Sequence, residues 1–97
     1  MGTNIDGNPW VWVIVLDPGG NEQFLGQHDE EKDETFIPTF LEKEEGVAGA
    51  EHLVQEAGQN HEVQAIRYQE LAQHAAANGF MLFILDKTGR VLEKIEP

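Results

Sequence analysis

Cysteine and serine are both absent from the 97 residues, and basic side chains are scarce: six Lys and Arg stand against 18 Asp and Glu. Without Cys there can be no disulfide, thiolate nucleophile or thiolate zinc site, and the composition fits a reducing cytoplasm. Without Ser as well, the usual nucleophilic triads have no attacking group. The threonines, Thr3, Thr35, Thr39 and Thr88, fall in tail, edge, cap and turn contexts that explain them structurally. The formal net charge of −12 repels phosphate backbones, and Lys32, Lys43, Arg67, Lys87, Arg90 and Lys94 are scattered along the chain. Neither nucleic acid nor an anionic membrane surface is therefore expected as a partner. The longest apolar run, residues 10–16, is too short to span a bilayer as a helix. Residues 1–9 lack the basic start and apolar stretch of a signal peptide. A soluble cytoplasmic protein is the expectation.

What is present suffices for one small core. The chain is 40% hydrophobic, an ordinary share for a globular domain. Residues 1–8 (MGTNIDGN) read as a flexible tail, and residues 9–97 as a single α+β domain. WVWVIVL is β-branched and aromatic, with Trp10, Trp12, Ile14 and Leu16 on one face and Val11, Val13 and Val15 on the other. DPGG at 17–20 sets a type II turn, Pro18 fixing the first central φ and Gly19 taking the positive second one. NEQFLGQ returns as the second strand. TFIPTFL at 35–41 is a third strand, which Pro38 makes an edge strand or a broken one.

Thr39 and Glu42 have capping-box spacing before a helix whose apolar stripe is Val47, Ala50, Leu53, Val54 and Ala57, with Gly58 as C-cap. Gly46 and Gly49 weaken that helix but permit close packing on a sheet. HEVQAIRY alternates as a strand, QELAQHAAAN is helical with Leu71, Ala72, Ala75 and Ala76 inward, FMLFILD is a central strand, and KTGR turns the chain into VLEKI. The expected order is β-β-β-α-β-α-β-β: a mixed sheet of five to six strands with two helices packed on one face. The other face is then partly open. Two placements of Trp10 and Trp12 follow, in the core or on that open face as an aromatic patch.

The acidic run QHDEEKDE raises the question of a metal site. Asp29, Glu31 and Asp33 alternate as calcium ligands do, but Lys32 intervenes, Glu34 stands where the sharp-turn Gly should be, and Phe40 where the bidentate acid should be. The EF-hand pattern fails, and a solvated loop able to steer basic partners is the better reading. No pair among His28, His52, His61 and His74 has the i, i+4 spacing of a helical zinc site. His28 beside Asp29 is the pair to watch for zinc. No catalytic residue, metal ligand or cofactor is assigned, and no enzymatic activity is expected.

FIPTFLEKEEG, VQAIRYQELAQHAAANGF and MLFILDKTGRVL together resemble the SseB N-terminal-like domains of bacteria, with Pro38, Thr39 and Phe40 as the P-x-F element. The resemblance covers most of residues 10–95. It implies an α+β fold and a role in protein–protein interaction or secretion, with no catalytic residues to carry over. Longer members hold more than one such domain, which leaves a secretion role without support here. The expected function is a non-catalytic interaction module that binds another protein or itself. Trp10 and Trp12 would anchor it, and Asp29, Glu30, Glu31, Asp33 and Glu34 would steer the partner. The alternative is a metal-ion or small-ligand-binding domain that uses the acidic loop.

Overall fold

The computed structural model describes residues 7–54, 58 and 60–97. Among these, the chain forms an α+β domain of seven strands and two helices: β1 (Trp10–Leu16), β2 (Gln23–Phe24), β3 (Gln27–Asp29), β4 (Glu34–Phe40), α1 (Lys43–Leu53), β5 (His61–Arg67), α2 (Tyr68–Asn78), β6 (Met81–Leu85) and β7 (Val91–Ile95). The sheet holds seven strands rather than five or six because residues 21–27 do not form one strand. β2 pairs with β1 (Val15↔Phe24), and after Gly26 the chain changes partner, β3 pairing with β4 (Gln27↔Phe36).

β1 is paired along its whole length with β5 on one side. Its other side is shared by β4 at Trp12 and Val13 and by β2 at Val15 and Leu16. β4 is flanked by β6 on one side, and by β3 and then β1 on the other. The main order is thus β5-β1-β4-β6-β7, with β2 and β3 filling the wedge where β1 and β4 diverge. Pro38 consequently lies in a central strand, not at an edge, opposite Phe83 of β6. Its missing donor is tolerated because the ladder on the β1/β3 side is already interrupted there. The β3 register ends at Phe36 and the β1 register begins at Thr39.

The helices lie on opposite faces of the sheet, which corrects the expectation of a one-faced packing. Leu71 and Ala75 of α2 join Val11, Val13, Val15, Ile37 and Leu82. Ala50 of α1 joins Ile14, Phe40, Phe83 and Leu85. The physical reason is topological. β4, β5 and β6 run parallel, so α1 carries the chain outward across the sheet and α2 carries it back. Two crossovers of the same hand in opposite directions must fall on opposite faces, and the right hand is strongly preferred.

α1 begins at Lys43 with Glu42 as its N-cap, and no side chain caps it. Thr39, expected as the cap, is instead fully buried in β4, its hydroxyl donating to the Ile37 carbonyl at 3.1 Å. The helix ends at Leu53 with Val54 as C-cap; Ala57 lies outside the described residues, and Gly58 falls beyond the helix. Ala50, Leu53 and Val54 of the expected stripe pack on the sheet, Gly46 and Gly49 are buried with them, and Val47 departs from the stripe, standing 47% exposed. The buried Phe40 ring sits under the two glycines. α2 begins directly after β5. Its first free donors are met from the lead-in to β1: Tyr68 N–H donates to the Pro9 carbonyl and Gln69 N–H to Asn8 Oδ1, both at 2.8 Å. Of the tail expected over residues 1–8, residues 1–6 lie outside the described residues. Gly7 and Asn8 hold the start of α2, Gly7 by accepting from Gln69 Nε2 at 3.3 Å. Ala76, expected to face inward, is exposed.

A methyl group added at Gly49 would sit 2.5 Å from Phe40 Cζ. Gly49→Ala should raise helix propensity by about 1 kcal/mol. Overpacking against a ring with no room to yield costs about 1–3 kcal/mol, so net destabilisation is expected. A lower urea midpoint at unchanged m-value would confirm it; a gain in stability would mean α1 is not held down on Phe40.

Candidate partner-binding surface

β1 enters the sheet at Trp10, and its even-numbered side chains face α1. The helix packs over Ile14, Phe40 and Val63 and stops short of the strand's first residues. Trp10 is left 54% exposed, and Trp12 is half-buried against the α1 cluster. The choice between core and surface therefore divides: Trp10 is a surface residue and Trp12 a partly buried one. Across the β1–β5 ladder Trp10 faces Arg67 and Trp12 faces Ala65. The Arg67 guanidinium carbon lies 4.3 Å from the Trp10 ring centroid, and Arg67 also donates to the Asn8 carbonyl at 3.0 Å. Lys43 Nζ lies 5.8 Å from the Trp12 ring centroid. Such cation–π contacts at exposed sites are worth about 0.5–1 kcal/mol each and hold the rings in one orientation. Beyond Lys43 the exposed Val47 continues this surface along α1.

The acidic residues lie elsewhere. Asp29 ends β3, Glu30 and Glu31 form the turn with Asp33, and Glu34 opens β4, so the expected loop is a tight β3–β4 hairpin. Among the described residues, the side-chain hydrogen bonds of Asp29 and His28 stay within the hairpin. Asp29 Oδ1 accepts from Glu31 N–H at 3.1 Å, His28 Nδ1 meets Thr35 Oγ1 at 3.0 Å, and His28 Nε2 lies 3.1 Å from Asp33 Oδ1. His28 thus turns to Asp33 rather than to Asp29. Glu34 is half-buried, its Oε1 3.6 Å from Lys94 Nζ, an ion pair longer than a hydrogen bond. Asp33 carries a φ of 53°, which a short polar side chain tolerates. Among the described residues no group of three or more His, Cys, Asp or Glu is placed to hold a metal ion.

β4 separates the two sets of residues. Glu34 begins that strand and Phe40, paired with Trp12, ends it. Six steps along a strand put the acidic hairpin about 20 Å from the Trp pair. Trp10 and Trp12 are brought together with Arg67 and Lys43, the five acids are brought together with His28, and the two groups stand at opposite ends of the sheet.

A third feature had no signal in the sequence. On the α2 face a groove of about 500 Å³ opens beside the helix. Val13, Val15 and Ile66 line it together with Phe24, His74 and Phe80, the Phe24 and His74 rings meeting edge-on at 4.8 Å. It exists because α2 covers only part of its face, which strand and helix patterns do not report.

Among the described residues no helix is long and apolar enough to cross a membrane. Comparison with family models, with curated proteins and with solved structures finds no match.

Asp86 is held below the usual carboxylate range, first by the Thr88 hydroxyl, which donates to Oδ1 at 2.7 Å, and further by the Thr88 and Arg90 amides and the Arg90 charge; partial burial opposes this. The residue organises the β6–β7 turn, in which Gly89 takes a φ of 88°. Because the folded-state value is lowered from 3.8, this contribution to stability is complete above that pH and is lost as pH falls through the lowered value. The stability difference between wild type and Asp86→Asn should therefore be present at neutral pH and shrink under acid. A pH-independent difference would assign the turn to shape alone. In the same unfolding assay Trp12→Ala should cost about 2 kcal/mol, since its ring packs on the core, and Trp10→Ala only about 0.5 kcal/mol, the worth of its contact with Arg67.

Proposed function

We propose that this protein is a small non-catalytic interaction module whose contact surface is centred on Trp10. The observation that carries the reading is a Trp 54% exposed and fixed by Arg67, on the same strand face as half-buried Trp12. Rigid, partly exposed aromatic side chains and Arg are the usual anchors of protein interfaces. The acidic hairpin contributes long-range steering of a basic partner and no direct contact with the Trp end, given the separation along β4. The resemblance to SseB N-terminal-like domains supports an interaction role in the cytoplasm of a bacterium, and the lack of Ser and Cys supports a role without catalysis. The partner is another protein or a second copy of this chain.

The small-ligand alternative has one observation in its favour, the groove on the α2 face. It does not use the acidic hairpin, whose Asp29, Asp33 and His28 are engaged with one another and with neighbouring groups.

The test compares immobilised wild type with Trp10→Ser in lysate of the source organism, with retained proteins identified by mass spectrometry. A specific partner should be retained by wild type and reduced at least roughly tenfold by Trp10→Ser. The melting temperatures should agree within about 3 °C. Equal retention by both chains would remove Trp10 from the interface. Light scattering on the purified chain identifies self-association: a dimer that Trp10→Ser dissociates makes the second copy the partner.

A further inference from the structure

β5 closes one side of the sheet. Its seven residues pair with β1 in unbroken register, and among the described residues no strand pairs along its outer side. An open edge carries a row of unpaired N–H and C=O groups that will template another strand unless it is short, bulged, or guarded by Pro or Lys. β7, the opposite edge, is guarded: it has five residues, contains Lys94, and its ladder with β6 shifts register at Ile84/Leu85. HEVQAIR has no Pro, no Lys and no register shift, and its charged residues, Glu62 and Arg67, lie toward its two ends and leave the middle of the edge unguarded.

A groove of about 320 Å³ lies beside this edge on the α1 face, between β5 and the helix, lined by Lys43, Val47, Ala50, His61, Glu62 and Val63. Glu44, Val47, Ala48 and Glu51 follow one another at i, i+3, i+4 and i+7 around the next depression, so exposed Val47 stands between two acids on one helix stripe. Glu44 and Glu51 lie about 5 Å and 6 Å from Val47 along the helix axis. In an extended strand, residues on the same face are about 7 Å apart. An apolar side chain set over Val47 therefore has its two same-face neighbours within reach of Glu44 and Glu51. Lys43, the cation in this groove, leans toward Trp12.

A second copy of the chain fits this edge poorly. Each carries −12. In a two-fold antiparallel pairing, directly opposed residues share a face. Glu62 and Arg67 point to opposite faces and so cannot meet across such a pair.

We propose that the outer edge of β5 and the adjoining α1 groove take up an extended protein segment of the pattern basic–x–apolar–x–basic, added to the sheet as a further strand. Main-chain hydrogen bonds to β5 supply affinity, and Val47 with Glu44 and Glu51 selects the sequence. This deepens, and rests on, the interaction-module reading.

The experiment is an NMR titration of the ¹⁵N-labelled full chain with the capped peptide Thr-Lys-Thr-Val-Thr-Lys-Thr. Saturable shifts should appear in residues 62–67 and at Val47, with a Kd on the order of 0.1 mM. N-methylation at alternate positions of one parity should abolish binding, while the other parity is tolerated, because only every second residue of a strand bonds to a given neighbour. The double variant Glu44→Gln, Glu51→Gln should weaken binding roughly tenfold. Indifference to N-methyl parity, shifts confined to Trp10 and Trp12, or no saturable shift would each overturn strand addition. The Trp10→Ser comparison separates the two readings. A partner still lost on that substitution keeps the interaction module without strand addition, and failure of both tests removes both.

Discussion

β4, β5 and β6 run in the same direction, and the rest of the molecule is arranged around that constraint. Strands that follow one another in sequence and run parallel cannot be joined by a hairpin, so a crossover helix carries the chain from β4 to β5 and from β5 to β6. α1 takes it outward over β1 and α2 brings it back, one on each face. β1 serves both layers, its valines facing α2 and its even-numbered residues facing α1. A strand apolar on both faces is the sequence counterpart of a sheet covered on both sides.

Phe40 determines how close α1 can come. Its ring is fully buried and occupies the space under Gly46 and Gly49 that side chains would otherwise fill. On the same face Phe36 and Phe83 stack at 3.9 Å. With the glycines facing inward, Val47 is turned to solvent beside β5. The feature that packs the helix tightly also leaves an apolar residue at the open edge of the sheet.

Charge is distributed along the long direction of β4. One end carries the hydrogen-bonded hairpin with Asp29, Glu30, Glu31, Asp33 and Glu34. The other carries two tryptophans, with Arg67 and Lys43 against their rings. With 18 acids on 97 residues, long-range attraction of a basic partner is a property of the whole surface. The large apolar side chains left uncovered are few, Trp10 and Val47 among them.

Much of the fold is legible in the residues. WVWVIVL, HEVQAIR and FMLFIL declare strands by composition and alternation. DPGG predicts its turn, where the Gly20 amide bonds to the Asp17 carbonyl at 3.1 Å and Gly19 has a φ of 80°. Gly79 ends α2 in the left-handed conformation as Asn-Gly suggests. These are local effects, set by φ preferences and by which face of an element is apolar. Strand order, the face each helix takes, the central place of Pro38 and the burial of Thr39 are not local. They depend on which strands run parallel and on where β2 and β3 wedge between β1 and β4. The candidate site divides in the same way. The sequence by itself marked Trp10, Trp12 and the acids by residue type. Only tertiary packing decided that Trp10 is exposed, that Trp12 is partly core and that the acids lie at the far end of the sheet. Residue type sets what a side chain can do, whereas exposure and distance arise only when separate elements meet.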